Sequence, residues 1–146
     1  MSQQIKQILS QAAQVKTLLA ERCCDEAENA ANLIAESLTQ GNKLLLCGNG
    51  GSAGDVQHLA AEFMSCLDHK AYPRPGLAAV ALTTDTSFIT AYSNDVGFEG
   101  IFERQIETLG SKGDVLLCIS TSGSSENVLR AAHSARLKGM KVISFT

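Results

Sequence analysis

No block of lysine and arginine gathers at either end of this 146-residue chain, and its formal net charge is −3. That balance excludes a general nucleic-acid or anionic-membrane surface and leaves room only for a local anion site. No apolar run reaches the roughly 18 residues that would cross a bilayer. The opening MSQQIKQILSQAAQ is polar and lacks the apolar core of a signal peptide. The five cysteines are odd in number and show no C-x-x-C spacing, and two of them, Cys47 and Cys118, lie inside apolar strand-like runs. They read as reduced, mostly buried thiols, so a soluble cytoplasmic protein is expected. Repeats and low-complexity segments are absent. The only linker-like piece is AYPRPG, Ala71 to Gly76, which holds both prolines.

A chain of this length suits one domain, able to bury roughly 70% of its unfolded surface. Two amphipathic helices are predicted first. Gln3 to Ala20 carries Ile5, Ile8, Leu9, Ala12, Val15, Leu18 and Leu19 on one stripe, and Asp25 to Thr39 carries Ala27, Ala30, Ala31, Ile34 and Leu38. After Gly41 and Asn42, the apolar runs Lys43 to Cys47, Leu77 to Leu82, Val115 to Ser120 and Lys141 to Phe145 read as buried parallel strands. Helical patterns at Ser52 to Ser65, Thr86 to Tyr92, Glu99 to Leu109 and Ser125 to Lys138 alternate with them. The fold class is therefore α/β, a parallel sheet flanked by helices, with residues 1–40 as a helical lead and 41–146 as the α/β core. KGMKVISFT stops on a strand, which reads as the front part of a longer protein.

In open α/β sheets, ligands bind beyond the C-terminal ends of the strands. Two loops at such positions are unusual. GNGGSAG, Gly48 to Gly54, places close glycines ahead of a helix, so backbone N–H groups and the helix's positive end can approach an anion. STSGSS, Ser120 to Ser125, puts five hydroxyls around one glycine between a strand and a helix, and hydroxyls with N–H groups can ring a phosphate without a cation. Each has a plainer reading. Gly48-x-Gly50-x-x-Ala53 fits part of a dinucleotide fingerprint, but the next strand ends about thirty residues on, where that fingerprint wants an acid at about twenty. A Walker A loop is excluded because no G-K-[ST] follows. STSGSS alone could be an ordinary helix cap.

Asp55, His58 and Glu62, spaced i, i+3 and i+7, share one face of the helix after the glycine loop. His58 and Glu62 could be two ligands of a divalent metal or an acid and a base; they could equally be a surface pair supporting the helix. Leu59, Ala60 and Phe63 take the packing positions. His69 and His133 lack such company and read as surface residues. Asn94-Asp95 before Val96-Gly97 is a further polar loop, or a plain turn.

Three stretches, CGNGGSAGDVQHLAAEF, SNDVGFE and GDVLLCISTSGSSENVLRAAHSARLKGMKVISFT, closely resemble the phosphoheptose isomerases, members of the sugar-isomerase (SIS) fold. The likeness spans Gly41 to Thr146, the first forty residues matching only as helices. The resemblance implies a flavodoxin-like three-layer sandwich. Its substrate contacts fall on Asn49, Gly50, Gly51 and Ser52, on Asn94 and Asp95, and on Ser120, Thr121, Ser122 and Ser125. Its zinc ligands fall on His58 and Glu62, with the remaining ligands, a Gln and a His on a C-terminal helix, expected downstream of Thr146. It also implies a homotetramer and conversion of sedoheptulose 7-phosphate to D-glycero-D-manno-heptose 7-phosphate for bacterial surface polysaccharide; from the charge balance, no membrane or direct nucleic-acid partner is expected. Glu62 is the expected base, with Asp55 and Asp95 as the other candidate acids, and a zinc-bound enediolate is the expected intermediate. Without its remaining ligands the chain is expected to bind zinc weakly and turn over little. Gly54 departs from the family, which often has Ala or Cys there. The DnaA initiator-associating proteins, of the same fold but acting by interaction, are the second reading. Their two loops are altered and they lack the acid partner of the His, so NGGSAGD, STSGSS and Glu62 favour the isomerase. A sugar-phosphate-sensing SIS module is a third reading, which would keep the phosphate loop without needing the trio.

Overall fold

The computed structural model describes residues 2–146. The chain divides into two compact units, Met1–Ala35 and Glu36–Thr146. The first unit holds α1 (Ser2–Arg22) and most of α2 (Cys24–Thr39). The apolar periodicity of α1 produces the predicted helix, but none of its residues is buried, and Ile5, Ile8, Leu9, Val15, Leu18 and Leu19 are 44–65% exposed.

In the second unit, β1 (Leu44–Gly48), α3 (Gly51–Met64), β2 (Ala79–Ala81), α4 (Thr86–Asp95), a 3-10 turn at Phe98–Gly100, α5 (Ile101–Leu109), β3 (Val115–Ile119), α6 (Glu126–Leu137) and β4 (Lys141–Phe145) follow one another. The strands form one parallel sheet in the order β2-β1-β3-β4. The continuous apolar runs are there because the central strands are covered on both faces: Leu44, Leu45, Leu46 and Cys47 of β1 have no exposed surface, and Leu116 and Leu117 of β3 almost none. Burial of one such leucine contributes about 1.5–3 kcal/mol. Alternation then sorts side chains to two faces. Leu45, Cys47, Leu116 and Cys118 join Phe102 and Ile106 of α5 and Val128, Ala131 and Ala135 of α6 in one core, while α3 packs on β1 and β2 through Val56 and Ala60.

This order fixes where a ligand can enter. From β1 the chain crosses to β2 on one side, then back across β1 to β3 and onward to β4 on the other. Right-handed crossovers in opposite directions place α3 on one face and α5 with α6 on the other. The loops leaving β1 and β3 therefore diverge, and a crevice opens between the C-terminal ends of these neighbouring strands.

The predicted strands and helices are found with ends shifted by a few residues, and two differences are instructive. The run Leu77 to Leu82 shortens to Ala79–Ala81, an edge strand whose one partner is β1. Asn94-Asp95, expected in a loop, closes α4 instead. Asp85 starts that helix by accepting a hydrogen bond from Phe88 N at 3.0 Å, and no glycine or proline interrupts it before Gly97. Of the cysteines, Cys47, Cys66 and Cys118 are buried and Cys23 and Cys24 exposed, all free. His69 and His133 are exposed, as read. Among the described residues, no helix is long and apolar enough to cross a membrane.

Candidate active site

The crevice between β1 and β3 holds a pocket of about 200 Å³ lined by Asn49, Ser52, Ile119, Ser120, Thr121, Ser122 and Ser125. Both singled-out loops thus meet in one place. They meet closely because Gly48 has no side chain: a Cβ there would lie 2.9 Å from the Ile119 carbonyl oxygen and 3.0 Å from Ser52 Cβ. Gly50 then turns the chain with φ 55°, a conformation that glycine adopts without strain, and α3 begins at the next residue.

Neither helix at the pocket is capped by a side chain. Gly50 cannot supply one, and Ser125, at the N-cap of α6, makes no side-chain cap hydrogen bond among the described residues. Its hydroxyl lies 3.3 Å from that of Ser120 instead. Ser122 Oγ accepts from Ser124 N at 3.2 Å. The plain reading of STSGSS as a helix cap therefore does not describe this loop; compare α4, where Asp85 does cap. First-turn N–H groups carry the positive end of the helix macrodipole, and an anion in the pocket would face two such ends and five hydroxyls. No lysine or arginine lines it.

On α3, His58 Nε2 and Glu62 Oε1 stand 3.8 Å apart, their side chains 77% and 31% exposed. Asp55, one turn earlier, is exposed, and its carboxylate makes no hydrogen bond or ion pair among the described residues. The C-terminal end of the same helix is held by Arg74, whose guanidinium donates to the carbonyl oxygens of Glu62 at 2.7 Å and Phe63 at 2.8 Å. Asn94 Nδ2 donates to Asp95 Oδ1 at 2.8 Å, and both residues are exposed. The structure therefore gathers Asn49, Ser52 and the serine-loop residues into one pocket. Gly50 and Gly51 shape that pocket without lining it, and Asp55, His58, Glu62, Asn94 and Asp95 stand outside its lining.

A zinc site takes three or four protein ligands. His58 and Glu62 offer two, and among the described residues no group of three His, Cys, Asp or Glu side chains could hold a metal. The residues present do not by themselves close a zinc site.

Two residues that matter here were not legible in the sequence. Arg74 was read as part of a linker, and its capping role depends on how residues 71–76 pass the end of α3. Asn127, 3% exposed in the first turn of α6, pairs with Asn49. An amide at a helical position where packing wants an apolar residue is the one signal that could have found it.

This arrangement, a doubly wound parallel sheet with a hydroxyl-lined pocket at its switch point, is that of a SIS domain, and the family described as the SIS domain matches residues 7–146. A phosphoheptose isomerase of Burkholderia pseudomallei (strain 1710b) is 46% identical over 99% of this chain and 75% of its own length. That of Aquifex aeolicus is 47% identical over the whole chain and 75% of its own length. Among solved structures, phosphoheptose isomerase GmhA from Neisseria gonorrhoeae superposes with a TM-score of 0.90 at 40% identity, covering 98% of this chain and 73% of that one. A phosphoheptose isomerase from Francisella tularensis gives a TM-score of 0.90 at 37% identity, covering 97% and 73%. The chain belongs to the phosphoheptose isomerase family of SIS-domain proteins.

Proposed function

We propose that the pocket binds the phosphate of sedoheptulose 7-phosphate and that the protein isomerises this ketose to a heptose 7-phosphate. The observation that carries this reading is the convergence of two uncapped helix N-termini, α3 and α6, on one pocket rich in hydroxyls. The intact serine loop and the pairing of His58 with Glu62 favour the isomerase over a DnaA-associating role.

An aldose–ketose isomerase moves a proton between C1 and C2 through an enediol. It needs a base near the carbon, donors for the developing enediolate and an anchor for the distant phosphate. Ser120, Thr121, Ser122 and Ser125 supply the anchor, and with Ser52 and the α3 terminus they fix the substrate's position. Asn49 orients sugar hydroxyls, with Asn94 and Asp95 as further candidates. Glu62 takes the C1 proton and returns it at C2, with Asp55 the second candidate base. His58 and Glu62 would give two ligands to a zinc, which would supply Lewis-acid chemistry if further ligands closed its site. A homotetramer is also proposed, supported by the uncovered apolar stripe of α1, as is a cytoplasmic setting, supported by five free cysteines, and a role in bacterial surface polysaccharide.

Incubation with sedoheptulose 7-phosphate in D₂O, followed by NMR, tests the reading. Formation of an aldoheptose 7-phosphate with solvent-derived deuterium supports it. Binding with slow, deuterium-incorporating conversion fits a zinc site that is not closed; binding with no conversion at all would point to the sensing module, and no binding would overturn the reading.

A further inference from the structure

The side chains of Asn49 and Asn127 form a reciprocal amide pair. Asn49 Nδ2 donates to Asn127 Oδ1 at 2.9 Å, and Asn127 Nδ2 donates to Asn49 Oδ1 at 2.9 Å. Asn49 follows β1 and lines the pocket; Asn127 sits in the first turn of α6, behind the serine loop and 3% exposed. The pair thus bridges the two chain segments that diverge from β1 and β3, which otherwise approach each other at Gly48.

A carboxamide has two N–H donors and two acceptor lone pairs, and this pairing uses one of each per residue. One donor and one lone pair of Asn49 remain for a ligand. Their arrangement is not free: turning one amide alone by 180° would set N–H against N–H and oxygen against oxygen, so neither can turn without the other. Asn127 is also too deeply buried for water to replace a lost partner, and an orphaned amide there is costly.

We propose that Asn127 is a positioning residue for the sugar end of the ligand. It acts through Asn49, presenting one fixed edge of that carboxamide to the pocket and holding the glycine-rich loop at a set distance from the serine loop. The proposal rests on the reading of the pocket as a sugar-phosphate site. It assigns the phosphate to the serine loop, which Asn127 does not touch through a side-chain bond, so the two parts of the ligand respond differently to its loss.

The test is a double-mutant cycle of Asn127→Ala and Asn49→Ala, with KM and kcat for sedoheptulose 7-phosphate and calorimetric titrations of that sugar phosphate and of inorganic phosphate. Asn127→Ala should weaken sugar-phosphate binding about tenfold and inorganic phosphate less than about threefold. Added to Asn49→Ala it should change sugar-phosphate binding little further, because its effect runs through Asn49. Additive losses, or equal losses for both ligands, would make Asn127 a packing residue only and overturn the proposal. Should Asn127→Ala fail to fold, side-chain amide hydrogen exchange in the unsubstituted protein still decides. An Asn49 Nδ2 proton slowed relative to free asparagine supports the pair, and exchange at the free rate overturns it. Failure of the unsubstituted protein to bind the sugar phosphate would instead sink the functional reading, which these titrations separate from failure of the Asn127 role.

Discussion

The two ends of the parallel sheet treat their polar groups in opposite ways. At the N-terminal end, every oxygen of the buried Asp114 carboxylate is occupied: it accepts from Lys43 N at 3.0 Å, Lys43 Nζ at 2.6 Å and Ser111 N at 2.8 Å. Ser37 Oγ donates to the Gly113 carbonyl at 2.8 Å beside it. At the C-terminal end, two helices start without side-chain caps and hydroxyls crowd a pocket. Strand ends need partners for their backbone groups wherever they stop. One end finds them within the chain, and the other leaves donors for something that arrives. Polar density alone does not mark a site; polar groups whose capacity is still open do.

Substitutions at the two ends should therefore separate stability from function. The largest effect is expected at the closed end. Asp114→Ala would orphan two backbone N–H groups and the partly buried Lys43 ammonium, lowering stability by about 3 kcal/mol. KM of the folded protein should stay within about twofold, as chemical denaturation and kinetics on one preparation would show. A matching rise in KM would mean that the two ends are not independent. At the open end, Ser120→Ala with Ser122→Ala should raise KM for the sugar phosphate about ten- to a hundredfold, the two lost hydrogen bonds together being worth about 1.5–3 kcal/mol. The unfolding midpoint should hardly move, and an unchanged KM would return the loop to a structural role.

Gly48→Ala lies at the open end but should move both readouts. Its Cβ would meet the Ile119 carbonyl oxygen at 2.9 Å, so the loops must part. A stability loss of about 1–2 kcal/mol together with a higher KM is expected, and calorimetry beside kinetics would reveal either one alone.

The smallest effect concerns the sheet between the two ends. Cys47 and Cys118 are register partners on β1 and β3 with sulfurs 3.6 Å apart. The hydrogen bond to Cys118, burial and the neighbouring sulfur's charge hold the Cys47 thiol well above its ordinary pKa. A folded-state pKa raised in this way contributes stability that is fully present below the unfolded thiol value of about 8.5 and lost as pH rises toward the folded one. Stability should therefore decline gradually above about pH 8.5. Cys47→Ala should flatten that decline in denaturation curves taken across the range, and an unaltered slope would assign it to other groups.

Much of this division could be read from the sequence, because it depends on local pattern. Continuous apolar runs at Lys43 to Cys47 and Val115 to Ser120 mark strands covered on both faces, and the loops after them announce themselves by glycine and hydroxyl content. The pairing of His58 with Glu62 follows from helical spacing. What was not legible is set by tertiary approach. The Asp114 clamp joins residues 71 apart in the chain, the Asn49–Asn127 pair joins residues 78 apart, and neither partner's type betrays the other. Asn94-Asp95 was misplaced for a different reason. Polar residues favour loops on average, but with Asp85 capping α4 and no breaker before Gly97, the helix carries them to its end.

Glu62 is proposed as the base for the C1 proton of a sugar whose phosphate the open end anchors. Glu62→Gln keeps the size of the side chain and removes its basicity. Deuterium exchange at C1 of sedoheptulose 7-phosphate, followed by NMR at saturating substrate, should fall by about 10²–10⁴-fold in this variant while calorimetry shows the sugar phosphate still bound. Undiminished exchange with intact binding would contradict the assignment of the base.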